Sequence, residues 1–151
     1  MDTRSMVRIS HIGSTAIPGI WAKPIVDILV EVEPGISLEQ ISLRIEQCGF
    51  RSMSRSANRI SFNKGYTEQG FAEKVYHLHL RYAGDHDELY FRDYMIDHPE
   101  AAREYEKLKL QLWKQFEHNR DEYTRQKGNM VAHYTKLARQ QYICRYEGKK
   151  I

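Results

Sequence analysis

The segment Ile25 to Val32, IVDILVEV, leaves few options for the fold around it. Six of its eight positions are aliphatic, the composition of a strand covered on both faces, yet Asp27 stands in its interior and Glu31 near its end. An unmet carboxylate in such a place costs several kcal/mol to desolvate. A cation, a metal or a set of hydrogen-bond donors is therefore expected opposite Asp27.

Strand side chains alternate, so Asp27, Leu29 and Glu31 share one face while Ile28, Val30 and Val32 share the other. Both acids are then expected to look to one side, into a cleft. Upstream, Val7 to Ile12 reads as a neighbouring strand ending at Gly13-Ser14. Glycine permits a tight turn there, and the hydroxyls of Ser14 and Thr15 with free backbone amides suit phosphate oxygens. Phosphate donors and carboxylates are expected at one end of a sheet.

These residues carry a resemblance. HIGSTAIPG from His11 and AKPIVDILVEV from Ala22 resemble the signature of the GrpB (UPF0157) family, part of the nucleotidyltransferase superfamily. FNKG at Phe62, HLHL at His77, LYFRDYMIDHP at Leu89, EYEKLKLQL at Glu104 and RDEYTRQK at Arg120 extend the likeness over nearly the whole chain. The resemblance implies a nucleotidyltransferase-like mixed sheet with packed helices and a C-terminal helical hairpin, of α/β or α+β class. It also implies a nucleoside triphosphate as substrate or ligand, with Mg²⁺ as cofactor. Gly13, Ser14 and Thr15 would hold phosphate, Asp27 with Glu31 would hold the metal and carry catalysis, and Lys23 or Arg92 would neutralise phosphate charge.

The chain departs from the superfamily pattern in two ways. The second acid of Asp-x-Asp or Asp-x-Glu falls at position 29, which is leucine. Glu31 is one further pleat repeat along, about 6 to 7 Å, a poor match to two metal ions about 4 Å apart. Family members also usually carry an N-terminal segment, expected to be helical, before the HIGST strand. Two functions consequently stand side by side: metal-dependent nucleotidyl transfer to an unidentified acceptor, or a nucleotide- or phosphometabolite-binding or accessory domain without the transfer reaction. Members of the family joined to dephospho-coenzyme A kinase imply the accessory role.

The rest of the chain reads in order. Ser37 caps a helix from Leu38, with Gln40 near the capping-box position; Leu38, Ile41, Ile45 and Cys48 share a face and Gly49 ends it. Phe50 to Met53 and Arg59 to Asn63 read as strands, and Lys64 to Gly70 as a loop. The spacing then predicts a strand over Lys74 to Tyr82 that puts His77, His79 and Arg81 on one face, expected to line the cleft opposite Asp27. Those groups would donate to phosphate or complete a metal shell; a four-ligand structural zinc site is not completed by them.

Asp85 or Asp87 is expected to cap the following helix, whose Leu89, Phe91, Tyr94 and Met95 pack it onto the sheet. Arg92 and Asp93 fall on different azimuths of that helix. The Arg92 guanidinium suits bidentate phosphate, or a structural pair with Asp27 or another acid. Pro99 opens a helix in which Ala101, Tyr105, Leu108, Leu112 and Phe116 form one apolar stripe. Asn119 marks a corner before an antiparallel helix bearing Tyr123, Lys127, Met130, Tyr134 and Leu137, and Tyr146 to Ile151 is expected to fray.

At 151 residues and 41% hydrophobic composition the chain supports a single domain, residues 1–151, with a sheet-containing part over 1–98 and a helical part over 99–151. Cys48 and Cys144 make neither a disulfide framework nor a metal motif, which fits a cytoplasmic protein, and no run is long enough to span a membrane. The net charge of +3 divides unevenly, −2 over residues 1–98 and +5 over 99–151. That basic excess reads as a solvated helical face in preference to a nucleic-acid surface; the partner that the resemblance implies is a nucleotide or phosphorylated small molecule.

Overall fold

The strand carrying Asp27 lies inside a mixed five-stranded sheet in the computed structural model, which describes residues 5–147. Strands β1 (Met6–Ile12), β2 (Ile25–Val32), β3 (Arg51–Arg55), β4 (Arg59–Thr67) and β5 (Gly70–Tyr82) take the order β1-β2-β5-β4-β3. β2 and β5 run parallel at its centre and every other pairing is antiparallel. Helices α1 (Leu38–Gln47), α2 (Asp87–Asp97), α3 (Pro99–Gln115) and α4 (Arg120–Gln141) complete an α+β fold.

The chain divides into two compact units. One comprises the sheet and α1, up to His86; the other comprises Ile17–Trp21 and the chain from Asp87 on, so α2 joins the helical part.

In the sheet unit, Val30 and Val32 of β2 pack with Ile60, Phe62, Leu78 and Leu80 of the neighbouring strands against Leu38, Ile41 and Ile45 of α1. The helical spacing of those three α1 residues and the strand alternation of β2 thus meet in one core, as burial of apolar area requires. Ser37 occupies the cap position of α1, but its side chain makes no capping hydrogen bond. Gly49, at φ +94°, ends the helix turn as expected. The edge strand β3 is exposed along its length and is held to α1 by Arg55, which reaches Glu39 at 2.9 Å and Glu46 at 2.6 Å.

Lys64 to Gly70, expected as a loop, is mostly strand. β4 continues to Thr67 and β5 starts at Gly70, with Tyr66 paired to Phe71. The polar composition that suggested a loop belongs to a solvent-facing hairpin, in which the ladder satisfies the backbone and the side chains need no burial. Gly65 sits at the irregularity in that ladder with φ +107°, where a Cβ would lie 2.4 Å from the Lys74 carbonyl oxygen.

In the helical unit, Phe91 and Met95 of α2 cluster with Ile17 and with Ala101, Ala102 and Tyr105 of α3. Within their own unit these α2 residues build a core with α3. Asn119 caps α4 by accepting the Glu122 amide at 3.2 Å, and Tyr134 reaches back to Glu104 at 2.8 Å, as an antiparallel hairpin requires.

Tyr146, expected to fray, is fixed. Its ring stands edge-on to Tyr90 with centroids 5.3 Å apart, and its hydroxyl donates to Asp93 and accepts from Arg92 at 3.0 Å. The rest of that tail, 148–151, lies outside the described residues. Among the described residues no helix is long and apolar enough to cross a membrane.

Candidate functional site

Cross-strand register places three rows of side chains on the sheet face opposite α1. Ile12, Asp27, His77 and Asn63 form the first, Ser10, Leu29, His79 and Ser61 the second, and Arg8, Glu31, Arg81 and Arg59 the third. The face is polar in all three rows, although its central member in the second, Leu29, is fully buried. The alternation expected from sequence is realised, and Asp27 and Glu31 lie two rows apart.

Asp27 meets histidine. Its Oδ1 is 3.2 Å from His79 Nε2 and 3.7 Å from His77 Nδ1, and the three side chains are 23 to 26% exposed. The Tyr66 hydroxyl lies 2.9 Å from His77 Nε2 and so fixes the far side of that ring. Burial lowers the pKa of His77 below its ordinary 6.5; Asp27 opposes this and His79 adds to it.

Gly13 closes against the same carboxylate. With φ +75° it occupies the left-handed region, and a Cβ there would stand 2.5 Å from Asp27 Oδ2. The turn continues through a short 3₁₀ segment, Ser14–Ala16, in which the Ala16 amide donates to the Gly13 carbonyl at 3.0 Å. The Thr15 hydroxyl donates to the Ile25 carbonyl at 3.0 Å. With its only proton committed there, Thr15 accepts from His11 Nε2 at 2.9 Å. Thr15 therefore ties the turn to the start of β2.

Glu31 is in a different setting. It is 0% exposed, and its carboxylate receives His86 Nδ1 at 2.6 Å, Arg8 Nη1 at 3.1 Å and the Gly84 amide at 3.3 Å. Four residues of strand separate it from Asp27, about 13 Å at about 3.3 Å per residue. The structure does not bring the two acids together, so they cannot share ions about 4 Å apart.

Mg²⁺ takes oxygen ligands. Asp27 offers a carboxylate here, and the imidazole nitrogens of His79 and His77 lie 3.2 and 3.7 Å from it. A two-ion Asp27/Glu31 centre does not fit these residues. Among the described residues, no three His, Cys, Asp or Glu side chains stand as a ready-made metal cage.

The other expected residues are dispersed. Lys23 is exposed just before β2. Arg81 is buried and pairs with Asp85 at 3.7 Å, while Arg59 grips the same carboxylate with two 2.7 Å bonds. Asp85, expected to cap α2, thus has its carboxylate engaged by arginines. Arg92 belongs to the helical unit, where it pairs with Asp93 at 2.9 Å. Adjacent positions on a helix were expected to keep these two apart, but the long guanidinium arm folds back onto its neighbour. Asp93 also accepts from Arg145 at 3.1 Å.

Sequence reasoning missed Arg8, Tyr66 and His86. The signal for His86 and Arg8 was the demand that a buried Glu31 makes for donors; the signal for Tyr66 was hidden in the segment read as a loop.

A five-stranded mixed sheet with helices, carrying a glycine turn against an aspartate in a central strand, defines the class: an α+β protein with a polar row on one sheet face. The chain belongs to the GrpB family, whose profile, described as GrpB protein, matches residues 2–137. It is 36% identical over 127 residues to a UPF0157 protein of Pseudomonas aeruginosa, covering 82% of this chain and 52% of that one. It is also 36% identical over 129 residues to the glutamate-rich protein GrpB of Alkalihalophilus pseudofirmus, covering 82% and 74%. UPF0157 protein YqkA of Bacillus subtilis is 33% identical over 129 residues, covering 83% of this chain and 37% of that protein. The chain therefore spans about half, or less, of two of these relatives. The crystal structure of the conserved protein GrpB from Enterococcus faecalis superposes with a TM-score of 0.75 at 28% identity, covering 91% of this chain and 83% of that one.

Proposed function

We propose that this chain binds a nucleotide or another phosphorylated small molecule, with phosphate at the Gly13–Ser14 turn and a divalent cation between that phosphate and Asp27, and that it does not carry out two-metal nucleotidyl transfer. The observation that carries this reading is the contact of Gly13 with Asp27, where a Cβ would lie 2.5 Å from Oδ2. Two features from separate stretches of sequence meet there, and a phosphate beside a carboxylate needs a cation between them. Against two-metal chemistry stands Glu31, enclosed by Arg8, His86 and the Gly84 amide.

A second reading, nucleotidyl transfer with a single ion, is favoured by the partial exposure of Asp27, 26%. In it Asp27 would hold the cation that polarises the α-phosphate while an acceptor hydroxyl attacks and pyrophosphate leaves.

The test is thermal unfolding with nucleoside triphosphate and Mg²⁺ or Mn²⁺. The wild type is expected to gain stability and Asp27→Asn to lose that response. Equal responses from the two proteins would remove Asp27 from the site. Pyrophosphate release in an acceptor screen, abolished in Asp27→Asn, would establish the second reading in place of the first.

A further inference from the structure

We propose that the outer edge of β1 is a self-association surface, on which a second copy of this chain adds its own β1 antiparallel and joins two five-stranded sheets into one. The proposal is independent of the phosphate reading.

β1 is one end of the sheet. Among the described residues it pairs with β2 alone, so alternate residues of the strand direct their backbone N–H and C=O groups away from the sheet. Apolar side chains lie beside that edge. Val7 is 40% and Ile9 58% exposed. Ile9 pairs with Val30, which belongs to the core that α1 shares with β2, β4 and β5, yet Ile9 itself stands outside that core.

Sheet edges are normally guarded against such pairing by charge, by proline or by irregular ladders. β3, the opposite edge, has two of these guards. All five of its residues are exposed, Arg51 and Arg55 stand at its ends, and its ladder is irregular in the middle, between Ser52 and Ser54. β1 is guarded far less. Its sequence, MVRISHI, contains no proline, lysine or acid. Its irregularity falls at the start, between Met6 and Arg8, and Arg8 to Ile12 runs in unbroken register. Arg8 sends its guanidinium to Glu31 at 3.1 Å, on the polar face of the sheet.

Charge selects the occupant. A two-fold axis at Ile9 sets Arg8 of one copy opposite Ser10 of the other and Val7 opposite His11; an axis at Ser10 sets Arg8 opposite Ile12 and Ile9 opposite His11. Neither register opposes like charges, and both gather the exposed apolar side chains of the two copies on one face. The same operation on β3, about Met53, sets Arg51 opposite Arg55. A two-fold contact also closes on itself, whereas β1 laid on β3 would continue as an open chain.

Either register lays the second copy's strand alongside Ile12, the residue before the Gly13 turn, so the interface borders the polar row. Its size sets its strength. A seven-residue edge is small beside the roughly 1,200 to 2,000 Å² that stable complexes bury, and the dimer is therefore reversible.

The experiment is sedimentation velocity on the whole chain from about 5 to 500 μM, a range that brackets the affinity of a small interface. A monomer–dimer equilibrium is expected. Ile9→Lys and Ile9→Glu, at a position already open to solvent, should each weaken the dimer about tenfold or more, while Met53→Lys on β3 should leave it within about twofold of the wild type. Circular dichroism checks that each variant folds. Hydrogen exchange gives a second readout: β1 amides should exchange more slowly at the higher concentration, and β3 amides equally at both. A monomer at every concentration, a dimer that survives both Ile9 substitutions or is lost in Met53→Lys, open-ended polymer, or β1 exchange that ignores concentration would overturn the proposal.

Discussion

Leu29 stands where the superfamily pattern places its second acid, and it is completely enclosed although its row neighbours Ser10, His79 and Ser61 are polar. Leu29→Asp would put a carboxylate where no water reaches, a cost of about 3 to 5 kcal/mol. Urea denaturation of the variant should show that loss; a change below about 1 kcal/mol would mean that position 29 faces water. Strand alternation made it legible that residues 27, 29 and 31 share a face. It could not tell that Asp27 stays partly exposed while Glu31 is sealed. That difference is made by His86, 55 positions downstream, and by Arg8 on the next strand. Pairing at such separation leaves no trace in local pattern, so the two acids looked equivalent in sequence and are not equivalent in the fold.

Elements with a strong apolar period were the ones legible from sequence. β1, β2, α1 and α3 lie close to where their patterns put them, because each buries a stripe that only one period can align. The β4–β5 hairpin was cut short by the polar composition at the end of β4, where solvent-facing residues give no hydrophobic period. α4 is held differently: few of its residues are buried, Thr135 and Ala138 among them, so its first turn depends more on local capping. Asn119→Ala removes the side-chain acceptor for the Glu122 amide and is expected to cost about 1 kcal/mol, while Asn119→Asp, which keeps an acceptor, should cost far less. Chemical denaturation followed at a helical wavelength separates these outcomes. Equal losses in both variants would show that the cap contributes nothing.

The stability of the whole molecule should carry the signature of one histidine. His77 has a folded-state pKa below its ordinary 6.5, chiefly because burial disfavours the imidazolium, with Asp27 pulling the other way and His79 reinforcing the shift. The unfolded chain then takes up a proton at that position first as pH falls below about 6.5, and each proton it takes favours unfolding. The stability associated with His77 is complete above 6.5, declines as pH drops through the window between 6.5 and the lower folded value, and levels off below it. Metal-free protein is the form to measure, because a cation on Asp27 would oppose protonation of the neighbouring His77. The remaining six histidines and the carboxylates also contribute to the acid response of this chain, so the comparison is between wild type and His77→Gln, which retains a hydrogen-bonding side chain beside Tyr66. The free energy of unfolding, measured by denaturant titration at steps from pH 7.5 to 5, should fall more steeply in the wild type than in the variant. Parallel curves would mean that the Asp27 carboxylate offsets burial, and a steeper fall in His77→Gln would mean that it outweighs burial and favours the charged His77 in the native state.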